Sequence, residues 1–362
     1  MKHLENHPVA LLYQAAQPPV KDGLVKPMKP GGYSDSGADI AYALQRAGIP
    51  VITPVAHPDP ARALDWVFPD TKDGIDQAVG QGAQVIWLNT VLFEAHPIQD
   101  YLQNGGTVVG QDPGTVEVFD DKWHTNQLLK GQGLPIPGVI MIRSWDEVRA
   151  LGDSDFPRVV KPIRGRGSAG VTLVENEKKL TEELNNLLRS EAYGNAVLVE
   201  DYLPGQEITV TVMPPGSYTI NGQTVEKTAC WSLPPVRRFN HEKGVAPYNG
   251  TVAVTHNSAV LSDEDLALPE VQTVRHQCEK AAQLVGAKAP IRIDCRQDEA
   301  GRYFLFDLNM KPNMTGAGRP GRADQDSLSA LAARHIGWSY ADLLLNMLAQ
   351  SWNQCSQIAL LS

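Results

Sequence analysis

Val9–Tyr13 is a short unbroken apolar run, the length of a buried strand. Over residues 36–47 the period changes: Ile40, Ala43, Leu44 and Ala47 share one face of a helix that Gly48 closes. Residues 51–55 read as a strand, 74–79 as a helix, and 84–88 and Thr107–Val109 as strands. Strands alternating with helices through this first third predict a small parallel α/β unit. The link 17–37, rich in Pro, Lys and Gly, is long for a strand-to-helix connection and reads equally well as a functional loop or a plain insertion.

A helix over 120–130 runs into a Gly- and Pro-rich break at 131–137. Strands follow at Arg158–Pro162 and 171–174, then a helix over 181–189 and a strand at 196–200. The stretches Glu207–Met213, 291–295 and 303–308 are strongly strand-like, and helices are expected over 327–333 and Tyr340–Leu348. The pattern predicts a mixed α/β protein of two or three domains; the bounds 1–118, 119–203 and 204–362 are those that the resemblance described below implies. No internal repeat or low-complexity tract interrupts it.

Composition narrows the classes. Apolar residues make up 42% and charged residues 20% of 362, ordinary for a soluble globular chain. The net charge of -9 argues against a nucleic-acid binder, while leaving room for a small anion held by local lysines and arginines. Cys230, Cys278, Cys295 and Cys355 are scattered without a CxxC pair, so neither a disulfide framework nor a zinc site is expected. The apolar run near the N-terminus is too short for a signal peptide, and no stretch has membrane-spanning length. The expectation is a cytoplasmic protein acting on small molecules, without nucleic-acid or membrane partners.

Four segments carry chemistry. Gly165-Arg166-Gly167-Ser168-Ala169-Gly170 fits GxGxxG, but the alternating Val171-Thr172-Leu173-Val174 follows it, so the loop joins two strands rather than opening a helix. A glycine hairpin of that kind lets backbone N–H groups approach phosphate, and Lys161 on the entering strand is placed to reach one; a flexible hairpin tip beside a surface lysine is the plainer alternative. Glu200-Asp201-Tyr202-Leu203, followed by Pro204-Gly205 and then Glu207, reads as a linker that offers backbone groups to a purine and a carboxylate to a ribose, or as a strand ending in a solvated turn. The segments 291–295 and 303–309 alternate, so Arg292 and Asp294 share one face, as do Asp307 and Asn309. If these strands pair, two carboxylates and an amide oxygen converge. Such a set repels itself without a cation and suits Mg²⁺, or Mn²⁺, shared with phosphates.

In this order the motifs resemble the ATP-grasp superfamily and, within it, the D-alanine–D-alanine ligase group, over residues 120–350. The resemblance implies an ATP-grasp fold, in which an N-terminal parallel α/β domain precedes two subdomains that clasp ATP. It implies ATP as cofactor with two magnesium ions. Lys122 and Lys161 would contact phosphates, and Gly167 and Ser168 would close over them. Glu200, Tyr202 and the backbone of Asp201 and Leu203 would hold the adenine, and Glu207 the ribose. Asp294, Asp307 and Asn309 would bind metal, and Arg292 would stabilise an oxyanion, with Lys161 and Ser168 assisting catalysis. The implied activity is a carboxylate–amine ligase that works through an acyl phosphate. Transfer to a hydroxyl or thiol nucleophile, and a non-catalytic ATP sensor, are the alternatives. Ligases of this group are often homodimers.

The first third departs from that pattern. The family's glutamate motif after the first strand is replaced by Gly31-Gly32-Tyr33-Ser34-Asp35-Ser36-Gly37. After the metal ligands, Asn313 stands where the family has glycine, and an insertion, 316–325, precedes Ser327. In the family this region lines the acceptor pocket, so Lys311, Asn313, Arg319, Arg322 and Ser327 are expected to shape a pocket for a different, carboxylate-bearing substrate. Arg319 and Arg322 read equally well as solvated loop charges. A phosphate-binding cation is also expected after Met213, with Lys243 preferred over Arg237 and Arg238.

Overall fold

The computed structural model describes residues 7–21, 23–24, 28–149, 156–165, 170–189, 194, 196–241 and 254–354. β1 (Val9–Tyr13) lies between β2 (Phe68–Pro69) and β3 (Val85–Trp87), with β4 (Thr107–Val109) beside β3, all parallel. β1 is covered on both faces, which explains its unbroken apolar run. The strand expected at 51–55 shrinks to one bridge, Val51 to Val9. Pro54 has no N–H with which to continue that ladder. The helix expected over 120–130 is Lys122–Gly131, and a further helix, Pro113–Phe119, precedes it. Asp121 starts the former by accepting the His124 N–H at 2.9 Å.

The central sheet runs β5–β8–β6–β7, antiparallel: β5 (Val139–Ile142), β6 (Arg158–Pro162), β7 (Thr172–Val174) and β8 (Val197–Asp201). The helix Glu177–Arg189 buries Leu180, Leu184 and Leu187, spaced as one helical face, against Val160, Val174, Val197 and Val199. Each leucine contributes roughly 2 kcal/mol at most by area.

The third sheet has the order β14–β13–β9–β15–β16. Its strands are β9 (Glu207–Met213), β13 (Val236–Arg238), β14 (Ser258–Val260), β15 (Ile291–Gln297) and β16 (Tyr303–Asn309). β12 (Trp231–Ser232) also pairs with β9, and β10 (Gly216–Ile220) and β11 (Gln223–Lys227) form a separate hairpin. The helix Pro269–Leu284 is absent from the expected elements, although Val271, Val274, Cys278, Ala281 and Ala282 carry its spacing. It packs in one cluster with Ile208, Val210, Val212, Ile291, Ile293 and Cys295. Alternation then turns Glu207, Thr209, Thr211, Arg292 and Asp294 to the opposite face. The first and third sheets share two apolar clusters, whereas the central sheet has a core of its own.

Candidate active site

Strand register lays the polar face out as a grid, because directly paired residues project to the same side. One row is Arg238, Glu207 and Arg296; the next is Thr209, Asp294 and Asp307; the third is Thr211, Arg292 and Asn309. Asp294 and Asp307 are direct cross-strand partners, which places two like charges at roughly 5 Å between Cβ atoms. Among the described residues no group of three or more His, Cys, Asp or Glu gathers. The oxygen set here is two carboxylates and an amide.

The pairing slips between Asp294 and Cys295, leaving Phe306 opposite no residue. The Phe306 carbonyl accepts from Lys161 Nζ at 2.9 Å, and the same ammonium lies 2.7 Å from Glu200 Oε2. Asn126 Nδ2 donates to the other Glu200 oxygen at 3.3 Å. Lys122, first residue of its helix, ion-pairs with Asp307 Oδ1. Lys122 and Lys161 therefore come over β16 from the central part of the chain.

Thr209 Oγ1 donates to Asp294 Oδ1 at 2.6 Å, and Arg292 Nη2 lies 3.7 Å from Asp294 Oδ2. Burial pushes the Asp294 carboxyl above its ordinary value, and the Asp307 charge adds to this against Arg292. Burial acts on Asp307 too, but Lys122 and Lys161 outweigh it and hold that carboxyl low. The two acids of one pair are thus driven apart, which marks a functional site more often than a structural ion pair. Arg292 keeps a buried Nε without a hydrogen-bond partner among the described residues.

At the hinge, Glu200 is buried, and the Asp201 N–H is spent on Gly138 O at 2.9 Å. With that N–H taken up by Gly138, the expected backbone contact from Asp201 to a purine falls to its carbonyl. The Asp201 carboxylate takes Arg158 and the Gly138 N–H instead. Tyr202 lends its hydroxyl to Arg296 at 3.2 Å, and Leu203 is buried. Glu207 receives His241 Nε2 at 2.8 Å and lies 3.7 Å from Arg296 Nη1.

The acceptor-side expectations fare unevenly. Arg319 and Arg322 are engaged by acids of the first helix. The Arg319 Nε donates to Asp39 Oδ1 at 2.9 Å and its Nη2 to Asp35 Oδ1 at 3.0 Å, while Arg322 Nε reaches both Asp39 oxygens at 2.8 and 3.0 Å. Both clamp the insertion onto the helix Ser34–Arg46, Arg319 buried and Arg322 partly exposed. Ser327 is buried, and its Oγ caps the helix Leu328–His335 by accepting the Ala330 N–H at 3.2 Å. The Asn313 side chain accepts the Thr315 N–H at 3.2 Å. Lys311 Nζ lies 3.4 Å from the centroid of the Tyr33 ring, and the Lys311 N–H donates to Asn309 Oδ1 at 2.9 Å. Gly167, Ser168 and Lys243 lie outside the described residues. Thr209, Arg296, His241 and Asn126 are site residues that the sequence reading did not name. Of these, Thr209 had a signal, two residues from Glu207 on an alternating strand.

Similarity to known proteins gives the family. The family model described as D-ala D-ala ligase C-terminus matches residues 128–349. The chain belongs to that family. It is 27% identical over 233 residues to a D-alanine–D-alanine ligase of Acinetobacter baumannii, covering 64% of this chain and 67% of that protein. It is 29% identical over 233 residues to D-alanine–D-alanine ligase B of Chromobacterium violaceum, covering 63% and 66%. Among solved structures, the D-alanine–D-alanine ligase of Bacillus anthracis complexed with ATP shares the fold, with TM-score 0.61 and 16% identity over 94% of this chain and 95% of that one. The ATP-grasp ligase family expected from the motifs is thereby borne out, and the shared fold extends through the N-terminal third, where the family model does not reach.

Proposed function

We propose that this member of the D-ala D-ala ligase family joins a carboxylate to an amine on small amino-acid-like substrates, with ATP and Mg²⁺, through an acyl phosphate. The observation that carries the reading is the directly opposed pair Asp294 and Asp307, driven to unlike proton affinities and ringed by Lys122, Lys161 and Arg292. Two partly buried acids held this close, with an amide oxygen beside them, fit a hard divalent cation shared with phosphate oxygens. Asp294, Asp307 and Asn309 would hold it, and when bound it would neutralise charge on the transferring phosphate.

Lys122 and Lys161 exchange part of their contact with Asp307 and Glu200 for nucleotide phosphates. A substrate carboxylate oxygen attacks the γ-phosphorus, the bond to ADP breaks, and an acyl phosphate forms. The amine nitrogen attacks the acyl carbon, and collapse of the adduct expels inorganic phosphate while the amine proton passes to solvent. Arg292, with its unspent Nε, stabilises the oxyanion of that adduct, a contribution of about 3 kcal/mol for one well-placed donor. Glu207 would give up His241 to take the ribose.

Lys311 remains the acceptor-side cation for a carboxylate-bearing substrate, since Arg319 and Arg322 are committed elsewhere. Incubation with ATP, magnesium and a panel of amino acids should release phosphate only with a productive pair. Product mass then identifies the bond: an amide supports the reading, and an ester or thioester would replace the amine by another nucleophile.

A further inference from the structure

We propose that Arg296 is a positioning residue for the nucleotide: it fixes the hinge turn and the Glu207 carboxylate in one orientation, and the preference for a ribose with both hydroxyls depends on it. The inference rests on the nucleotide reading above, in which Glu207 takes the ribose. Arg296 lies on β15, two residues beyond Asp294, and is the direct cross-strand partner of Glu207. Both therefore project from the same face, Glu207 buried and Arg296 partly so.

The guanidinium reaches back across the turn that joins β8 to β9. Its Nε donates to the Gly205 carbonyl at 3.2 Å and its Nη2 to the Tyr202 hydroxyl at 3.2 Å, while its Cζ lies 5.1 Å from the centroid of the Tyr202 ring. Its Nη1 lies at ion-pair distance, 3.7 Å, from Glu207 Oε2. One planar fork thus touches a residue before the turn, the turn itself and the first residue of β9, and its three nitrogens cannot move independently. Gln297 ties down the same turn through the main chain. The Gly205 N–H donates to the Gln297 carbonyl at 2.9 Å, and the Gln297 N–H donates to the Gln206 carbonyl at 3.0 Å. A Cβ at Gly205 would lie 2.6 Å from that of Gln297, so glycine is what lets the turn come this close.

Glu207 is held from two sides, with unlike consequences. His241 Nε2 lies 2.8 Å from Oε2, but His241 stands on the segment beyond β13 and is the partner that a ribose would displace. Arg296 approaches the same oxygen along the sheet and is anchored at Tyr202 and Gly205, so it stays when His241 leaves. A carboxylate gains from hydroxyl donors only where its lone pairs face them, and without a fixed cation the side chain turns among its rotamers. Arg296 supplies that orientation rather than a contact of its own to the nucleotide.

The test is calorimetric titration of the full chain, with magnesium, using ADP and 2′,3′-dideoxy-ADP, which lacks the hydroxyls that Glu207 would accept. Wild type should bind ADP at least about tenfold more tightly, as expected for hydrogen bonds to a charged group. Arg296→Met keeps an unbranched apolar stem and removes the fork; it should reduce that ratio to less than about threefold, chiefly by weakening ADP. Arg296→Lys keeps a charge beside Glu207 but cannot span Tyr202, Gly205 and Glu207 together, so its ratio should fall between, and it carries the test alone if the Met variant does not fold. A wild-type ratio in either folded variant, even with both nucleotides weakened together, would mean that Arg296 only pins the turn and would overturn the proposal. A wild-type chain that binds ADP without preferring it to the dideoxy form would instead remove Glu207 from the ribose, and one that binds neither would remove the nucleotide reading itself.

Discussion

Two carboxylate clusters flank the segment that follows Asn309, and they are built differently. Asp39 is fully buried and saturated: Arg319, Arg322 and Thr315 Oγ1, the last at 3.0 Å, all donate to it. Asp294 and Asp307 are partly open, with side chains 17% and 32% exposed, and they oppose each other with incomplete neutralisation. A carboxylate whose lone pairs are filled by its own chain holds structure. A pair left in mutual repulsion, with cations close by, waits for a ligand.

The sharpest way to break that contrast is to remove one acid from each cluster. Asp307→Ala should lower turnover by at least about a hundredfold, since the phosphate-side electrostatics are lost, while thermal melting stays near wild type. Asp39→Ala should do the reverse. It leaves Arg319 and Arg322 with only the exposed Asp35 as counter-charge and should cost about 3 kcal/mol in urea denaturation. If Asp39→Ala melts normally, the clamp is not structural; if Asp307→Ala turns over normally, the acid pair is not the metal site.

A smaller effect separates the two arginines. Arg319 is sealed, whereas the Arg322 side chain is 24% exposed, so Arg322→Ala should cost only about 1 kcal/mol and leave substrate KM unchanged. A raised KM with unchanged stability would return Arg322 to the substrate pocket.

The pH dependence of cation binding sharpens the contrast further. Asp294 lies above its ordinary value of 3.8 through burial and the neighbouring Asp307 charge, so a proton competes there with a cation. The ligand-free fold loses stability as pH rises through that raised value, and bound magnesium should restore it. Asp307 is held below 3.8 because Lys122 and Lys161 outweigh its burial, so its contribution persists above 3.8 and is lost only as pH falls through the lowered value. The magnesium-induced rise in Tm should therefore be present at neutral pH and shrink as pH falls toward the raised value of Asp294. A constant rise down to pH 3.8 would contradict the assignment.

Legibility in the sequence follows the same divide. Arg292, Asp294, Asp307 and Asn309 lie on two alternating strands, and alternation alone puts each pair on one face; the register that joins them is then the natural pairing of neighbouring strands. Lys161 and Glu200 are likewise given by strand position. The clamp has no local signature: Asp39 and Arg319 are 280 residues apart, and a basic loop looks the same whether its charges face water or a distant helix. Ser327 shows a related limit, since a serine before a helix is equally a cap and a ligand until its hydroxyl is seen to accept Ala330. The bulge that leaves Phe306 unpaired, and so gives Lys161 a carbonyl to hold, also leaves no mark on the alternation of 303–309.

The most direct measurement is the product analysis of the wild-type chain and Asp307→Ala, each incubated with ATP, magnesium and the amino-acid panel. The account predicts ADP and phosphate in equal amounts, with a product weighing the sum of two substrates less one water, from the wild type and not from the variant. No ADP with any pair, or equal turnover by both proteins, would contradict it.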